Sequence, residues 1–292
     1  MKLARTFHTL AAQLYDATLC SPEGVARQAH VKDRSHTGRK ISVAIPHHNR
    51  GSCIHRPLRN LLNDGRISEI LIVDDASSPA EYEALKRNVH ALDPQKKIRI
   101  IRQEKNLGAM GNKLSCVENA STEWLILLDS DNTIFRNYLD AVFSLPTWNP
   151  EVFYCPCWAY PYFQFQPLVG EQLDFARVAE LCRSTILRKI FLLNDGNYFI
   201  NRTAYLANLS PLSELKNDVA DVMVANYLWL SNGGRLEVVP NAHYVHRIDA
   251  SSFWMRTQEE SRRRVFEIFA LFEQEKRWTP DLLEQLRKPS PQ

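Results

Sequence analysis

From Ile41 onward, short apolar runs alternate with stretches in which apolar residues recur at helical spacing. ISVAIP is a β-branched run stopped by Pro46, PLRNLLN after it has the helical period, and EILIVDDAS is a second apolar strand ending in two carboxylates. EYEALKRNVHAL repeats the helical pattern, KIRIIRQ supplies a third strand and LGAMGNKLSCVENA another helix. EWLILLDSDN is a fourth strand, again ending in carboxylates. This alternation predicts an α/β fold with a parallel, doubly wound sheet flanked by helices. Such sheets bind ligands outside the carboxyl ends of their strands. His47 and His48, Asp74 and Asp75, and Asp129 and Asp131 are therefore expected on one edge.

The second half is less regular. VFYCPCWAYPYFQFQPL is aromatic and proline-rich, suited to the core or to an acceptor groove, and RVAELCRSTILRKIFLL has helical spacing. NYFINRTAYL reads as a strand running into a helix, and VMVANYLWLSNGG as a helix ended by glycine. LEVVPNAHYVHRI looks like a strand pair with histidines at its end. The opening MKLARTFHTLAAQLYDATLC has helical spacing without a continuous apolar stretch of secretory type, and VKDRSHTGRK follows as a linker. From about Arg256 to Pro289 the tail forms one or two amphipathic helices. Their arginines and apolar face suit packing on the main domain or peripheral contact with a membrane.

The chain has 292 residues, 45% hydrophobic and 24% charged, which is enough for a large buried core and excludes a disordered or fibrous protein. A net charge of +3, with acids interleaved among the bases, argues against a nucleic-acid partner. Six cysteines without a secretory leader favour reduced thiols and a cytoplasmic setting, and the Cys155-Pro156-Cys157 spacing is not that of a zinc or redox pair. The longest uncharged stretch, Val152 to Gly170, is broken by three prolines and is not a membrane span.

LLDSDN carries the most chemistry. Two aspartates two residues apart at the mouth of a buried strand offer hard oxygen ligands where the fold binds ligands, a site for Mn²⁺ or Mg²⁺. A divalent ion there neutralises the charge that builds on a diphosphate leaving group.

Taken in order, VAIPHHNR, ILIVDDAS, NLGAMGNK, LLDSDN and a histidine-bearing strand resemble the GT-A glycosyltransferases, in particular the large inverting family 2, over roughly residues 41 to 250. The resemblance implies a GT-A-like, Rossmann-like domain at 41–250, with a nucleotide-sugar-binding half at 41–135 and an acceptor half at 136–250. Helical extensions are expected at 1–40 and 251–292. It implies a donor site in which Pro46, His48, Asn49 and Arg50 form the base-binding loop, and Asp74 and Asp75 follow on the second strand, Asp75 accepting from base or ribose. Asn106, Gly108 and Lys113 match an N-x-G-x-x-x-x-R pattern facing the diphosphate, with lysine in place of arginine. Asp129 and Ser130 are implied at the ribose or sugar, Asn197 of GNYFINR beside the donor sugar, and Asp131, Asp129 and His246 at the metal.

Inversion needs one carboxylate to take the acceptor proton. The resemblance places it at Asp221 of ADVMVANYLWLSNGG, where a second acidic position holds Val222, with Asp218 as the alternative. Either acid could instead simply favour a helix N-terminus. The implied activity is transfer of a sugar from a nucleotide diphosphate sugar, a UDP-sugar favoured, to a glycan, a lipid-linked glycan or a small molecule. A non-catalytic nucleotide-sugar-binding protein and a nucleotidyltransferase are the alternatives. The latter usually opens on a glycine-rich basic loop, where this chain has PHHNRGS.

Overall fold

A computed structural model describes residues 38–94, 96–183, 191–215, 220–248 and 257–287. The helix expected near the N-terminus and the alternative base Asp218 lie outside the described residues.

The first half alternates as its sequence pattern requires: β1 (Ile41–His47), α1 (His55–Leu58), β2 (Ile67–Asp74), α2 (Pro79–Leu92), β3 (Ile98–Arg102), α3 (Gly108–Asn119) and β4 (Trp124–Leu127). The four strands pair in parallel in the order β3-β2-β1-β4. Ile41, Val43, Ile45, Ile70, Leu71 and Ile72 have no exposed surface, as strands covered by helices on both faces demand.

The chain continues through β5 (Thr133–Ile134), α4 (Arg136–Ser144), β6 (Val152–Tyr160), β7 (Phe163–Gln164), α5 (Phe175–Arg183), β8 (Phe199–Asn201), α6 (Arg202–Leu209), α7 (Asp221–Ser231) and β9 (Arg235–Val245). β8 runs antiparallel to both β4 and β6, which extends the sheet, while β6 and β9 pair in parallel. The aromatic, proline-rich run is largely core: Phe153 stacks on Trp229 with ring centroids 3.9 Å apart.

LEVVPNAHYVHRI is one strand, not the expected pair. Asn241 takes φ 65° and the register with β6 shifts between Pro156 and Trp158, so the irregularity is absorbed as a bulge where Pro156 cannot donate to a ladder. β9 then pairs with β5, Tyr244 opposite Ile134 and Val245 opposite Thr133, which brings its end back to the LLDSDN turn.

Two further helices follow, α8 (Gln258–Glu273) and α9 (Pro280–Arg287). The apolar stripe of α8, Val265, Ile268, Phe269 and Phe272, is buried, and Phe272 meets the rings of Phe175 on α5 and Tyr227 on α7, both at 5.1 Å. The tail's apolar face therefore packs on the domain. Among the described residues no helix is long and apolar enough to cross a membrane.

Candidate active site

β1 and β2 end side by side, with His47 opposite Asp74. His47 donates through Nδ1 to Asp74 Oδ1 at 2.9 Å, both side chains fully enclosed, and Asp74 also accepts from the Ser77 amide at 3.2 Å and the Ser77 hydroxyl. Burial pushes Asp74 upward, but the hydrogen bonds from His47 and Ser77 outweigh it and hold the carboxyl below its ordinary value. Asp74, expected at the donor, instead holds the loop frame, because its enclosed oxygens already have donors.

Asp75 is 3% exposed and reaches forward to the next element, Oδ1 accepting from the Leu107 amide at 2.6 Å and Oδ2 from the Gly108 amide at 3.1 Å. These amides open α3, where helix N–H groups have no intrahelical partner. Burial raises the Asp75 pKa. Ser78, not Asp75, caps α2, accepting from the Glu81 amide at 3.4 Å. Gly108 stands at φ 79°, which a side chain would resist, and Asn106 steadies the turn by accepting from its amide at 2.9 Å.

His48 is exposed and held edgewise: its Nδ1 donates to the Asp75 carbonyl at 2.8 Å, and Asn49 Nδ2 donates to its Nε2 at 2.9 Å. Asn49, at φ 51°, locks this loop, its amide donating to Ser77 Oγ and its Oδ1 accepting from the Ser78 amide, each at 2.8 Å. Beside the half-buried Pro46, the fixed imidazole offers a face on which a base can stack.

The turn after β4 presents Asp129 and Asp131, with Ser130 buried between them. Arg50, from the first loop, pairs with Asp131. Lys113 of α3 lies 2.6 Å from Asp221 Oδ2 and 4.0 Å from Asp129 Oδ1, so one ammonium joins the expected base to the D-x-D turn. Burial disfavours the Lys113 charge, but Asp221 and Asp129 more than offset it and raise its pKa. Asp221 is the first residue of α7, and the chain passes close to it only because residue 196 is glycine: at φ 79°, a Cβ there would lie 2.8 Å from Val222 Cγ2. Among the described residues no three His, Cys, Asp or Glu side chains stand ready as a metal cage.

The profile of Glycosyl transferase family 2 matches residues 42–196. The chain belongs to that family. As a family 2 glycosyltransferase it is similar to the succinoglycan biosynthesis protein ExoO of Rhizobium meliloti (strain 1021), 22% identical over 225 residues that make up 73% of this chain and 62% of the relative, so it spans less than two thirds of that protein. Its fold is similar to that of S. aureus TarS 1-349 in complex with UDP-GlcNAc, at a TM-score of 0.55 and 16% identity over 85% of this chain and 70% of the other. The mannosyltransferase PcManGT from Pyrobaculum calidifontis in complex with GDP-Man and Mn²⁺ also has a TM-score of 0.55 at 16% identity, covering 97% of this chain and 77% of that one. These likenesses show a GT-A glycosyltransferase fold.

In this family 2 member, Asn197 has no exposed surface, although the sequence places it at the sugar. It positions the turn instead: its Oδ1 accepts from the Asp129 amide at 3.0 Å and from Asn132 Nδ2 at 3.2 Å. Asn132 in turn accepts from the Arg247 amide at 3.0 Å, tying the turn to the end of β9. Behind Asn197 lie Asp195, whose burial pushes its pKa up to about 7, and Tyr244, whose hydroxyl stands 3.0 Å from His246 Nδ1. Burial lowers His246 to about 4 against the pull of Asp129, so the ring is neutral near pH 7. Asn132, Asp195 and Tyr244 were not singled out from the sequence. The available signals were weak: Tyr244 precedes His246 by one strand period, and Asp195 precedes Asn197 by two residues.

Proposed function

We propose that this chain transfers a sugar from a nucleotide diphosphate sugar, UDP-linked in preference, to a hydroxyl of a glycan, a lipid-linked glycan or a small molecule, with inversion and with Mn²⁺ or Mg²⁺. The observation that carries this reading is Lys113 between Asp221 and Asp129, because it gathers the expected base, the D-x-D turn and a cation that can meet diphosphate charge into one site. Similar folds bound to UDP-GlcNAc and to GDP-Man with Mn²⁺ support the same class of donor. Residues 41–250 form the catalytic domain in this reading, and 251–292 its tail.

His48 stacks on the base, Asp75 accepts from base or ribose through its remaining lone pairs, and the Asn106–Gly108 turn brings backbone close to the phosphates. The metal would be held by Asp131, Asp129 and His246, and it would neutralise charge on the departing diphosphate. The chemistry of the donor set suits such an ion, although the three side chains do not already stand together as a cage. Two carboxylates and a neutral imidazole suit Mn²⁺, and Asp129 has its pKa raised by burial and by Asp131, despite Lys113, as expected for acids short of positive charge. Arg50 pairs with Asp131, and were that carboxylate to hold an ion the guanidinium would be available to the diphosphate.

When the diphosphate draws Lys113 away, Asp221 is free to accept the acceptor proton. The acceptor oxygen bonds to C1 from the face opposite the leaving group, the C1–O bond to the diphosphate breaks, and the proton ends on Asp221.

The test is turnover of UDP-, GDP- and dTDP-sugars with Mn²⁺ and candidate acceptors, comparing the wild type with Asp131→Ala and Asp221→Asn. One donor should be turned over, both changes should abolish turnover, and Asp221→Asn should still bind nucleotide. Turnover that survives Asp221→Asn overturns the base assignment, and transfer unaffected by chelation and by Asp131→Ala overturns the metal.

A further inference from the structure

We infer that Asp195, acting through Tyr244, fixes the tautomer of His246 so that the imidazole presents a bare Nε2 to the donor site. The inference rests on the reading of His246 as a ligand for a cation. It makes Asp195 and Tyr244 positioning residues, neither of which touches donor or metal.

The directions of the hydrogen bonds follow from which groups can only donate. Asp195 Oδ1 faces the Asn197 amide at 3.1 Å and Asn197 Nδ2 at 3.5 Å, and a backbone N–H cannot accept. Oδ2 lies 2.8 Å from the Tyr244 hydroxyl, which has one hydrogen, and donation to an ionised carboxylate is the strongest use of it. With its hydrogen committed, the phenol oxygen accepts from Asn197 Nδ2 at 3.3 Å and, at 3.0 Å, from His246 Nδ1. The ring proton therefore sits on Nδ1, and Nε2 keeps its lone pair. The opposite tautomer would aim an N–H at the cation and could not coordinate it.

Asp195 is 6% exposed and Tyr244 1%, so water does not compete for this chain of bonds. Asp195→Asn reverses it without changing its shape. The amide oxygen must face the Asn197 N–H, its NH₂ then faces Tyr244, and the phenol hydrogen turns to His246 Nδ1. The ring proton is forced to Nε2.

The experiment is ¹⁵N NMR of histidine-labelled, metal-free protein at pH 8, where Asp195 is ionised, with His246→Ala assigning the signal. Mn²⁺ affinity in the presence of UDP is measured alongside by electron paramagnetic resonance. The wild type should show an unprotonated Nε2, Asp195→Asn a protonated Nε2 and Tyr244→Phe a mixture. Asp195→Asn should weaken Mn²⁺ binding about 10–100-fold and cause no further loss in a His246→Ala background. A protonated Nε2 in the wild type overturns the inference, and that spectrum needs no variant to fold. Equal weakening by Asp195→Asn with and without His246 also overturns it. If the tautomer follows Asp195 while His246→Ala leaves Mn²⁺ binding intact, the relay stands and the assignment of His246 as a ligand is what fails.

Discussion

Two strands of this protein end in paired acids, VDDAS after β2 and LLDSDN after β4, and the structure treats them in opposite ways. Asp74 and Asp75 are buried and met chiefly by groups of their own frame, an imidazole, a hydroxyl and three backbone amides, with the Arg102 guanidinium further off at 3.6 Å from Asp74. Asp129 and Asp131 remain partly exposed and are met by the side-chain cations of Lys113 and Arg50, with Asn132 and Asn197 also donating to Asp129. Backbone donors cannot leave, so the first pair is fixed in place: Asp74 is architecture, and Asp75 is a rigid acceptor whose remaining lone pairs are the ones proposed for the nucleotide. Side-chain cations can be exchanged for a metal or drawn onto a phosphate, so the second pair is the one proposed as the site. The lesson is that an acidic strand end is read by its partners, not by its acids.

Replacing Lys113 with Met tests this contrast most severely. It leaves Asp221 and Asp129 facing each other without a cation, so it should cost about 3–5 kcal/mol in chemical denaturation, part of it recovered in a Lys113→Met, Asp221→Asn double variant. Equal stability of single and double variants would mean the ammonium is not what joins the two acids. Next in size is a matched pair. Asp74→Asn should destabilise by about 2–3 kcal/mol, because whichever oxygen becomes an NH₂ then faces a donor, the Ser77 amide at Oδ2 or His47 and the Ser77 hydroxyl at Oδ1. Asp131→Asn should change stability by under about 1 kcal/mol while reducing transfer at least about 10²-fold. Similar stability losses for both would erase the distinction.

The pH profile separates the regions again. Asp195, pushed up to about 7, holds its proton in the folded state after the unfolded chain, near 3.8, has lost it, so its contribution to stability falls as pH rises from about 4 to 7 and is flat above. His246, lowered from 6.5 to about 4, acts oppositely, costing stability as pH falls between those values. Asp74, lowered from 3.8, adds stability that is present above about pH 4 and lost below it. Difference curves of unfolding free energy, wild type minus Asp195→Asn, His246→Ala or Asp74→Asn, should carry these separate signs; a common sign would refute the assignment. The smallest effect is expected for Ser78→Ala, under about 1 kcal/mol with unchanged UDP affinity, because Ser78 caps α2 and Asp75 does not.

The parallel half was legible because strands buried on both faces need uninterrupted β-branched runs, and ISVAIP and EILIVDD can be little else. LLDSDN was legible for the same reason, as acids at the end of such a run have to emerge at its mouth. Asp195 and Tyr244 were not, since a buried aspartate in LLNDGN looks like any turn acid until Tyr244, 49 positions on, is found donating to it. The strand pair expected in LEVVPNAHYVHRI failed because Pro240 and Asn241 signal a turn locally, while pairing with β6 and β5 on either side pulls the segment straight.

Local pattern and motif order were enough for the α/β class, the family and the edge on which the chemistry collects, since periodicity and β-branching act between near neighbours in the chain. They could not say that Asp74 is frame, that Lys113 reaches Asp221 or that Arg50 reaches Asp131. Those contacts join residues 27, 108 and 81 positions apart. Which cation meets which acid is decided by how the helices pack on the sheet, because charge pairing acts through a few ångströms of space, whatever the separation along the chain.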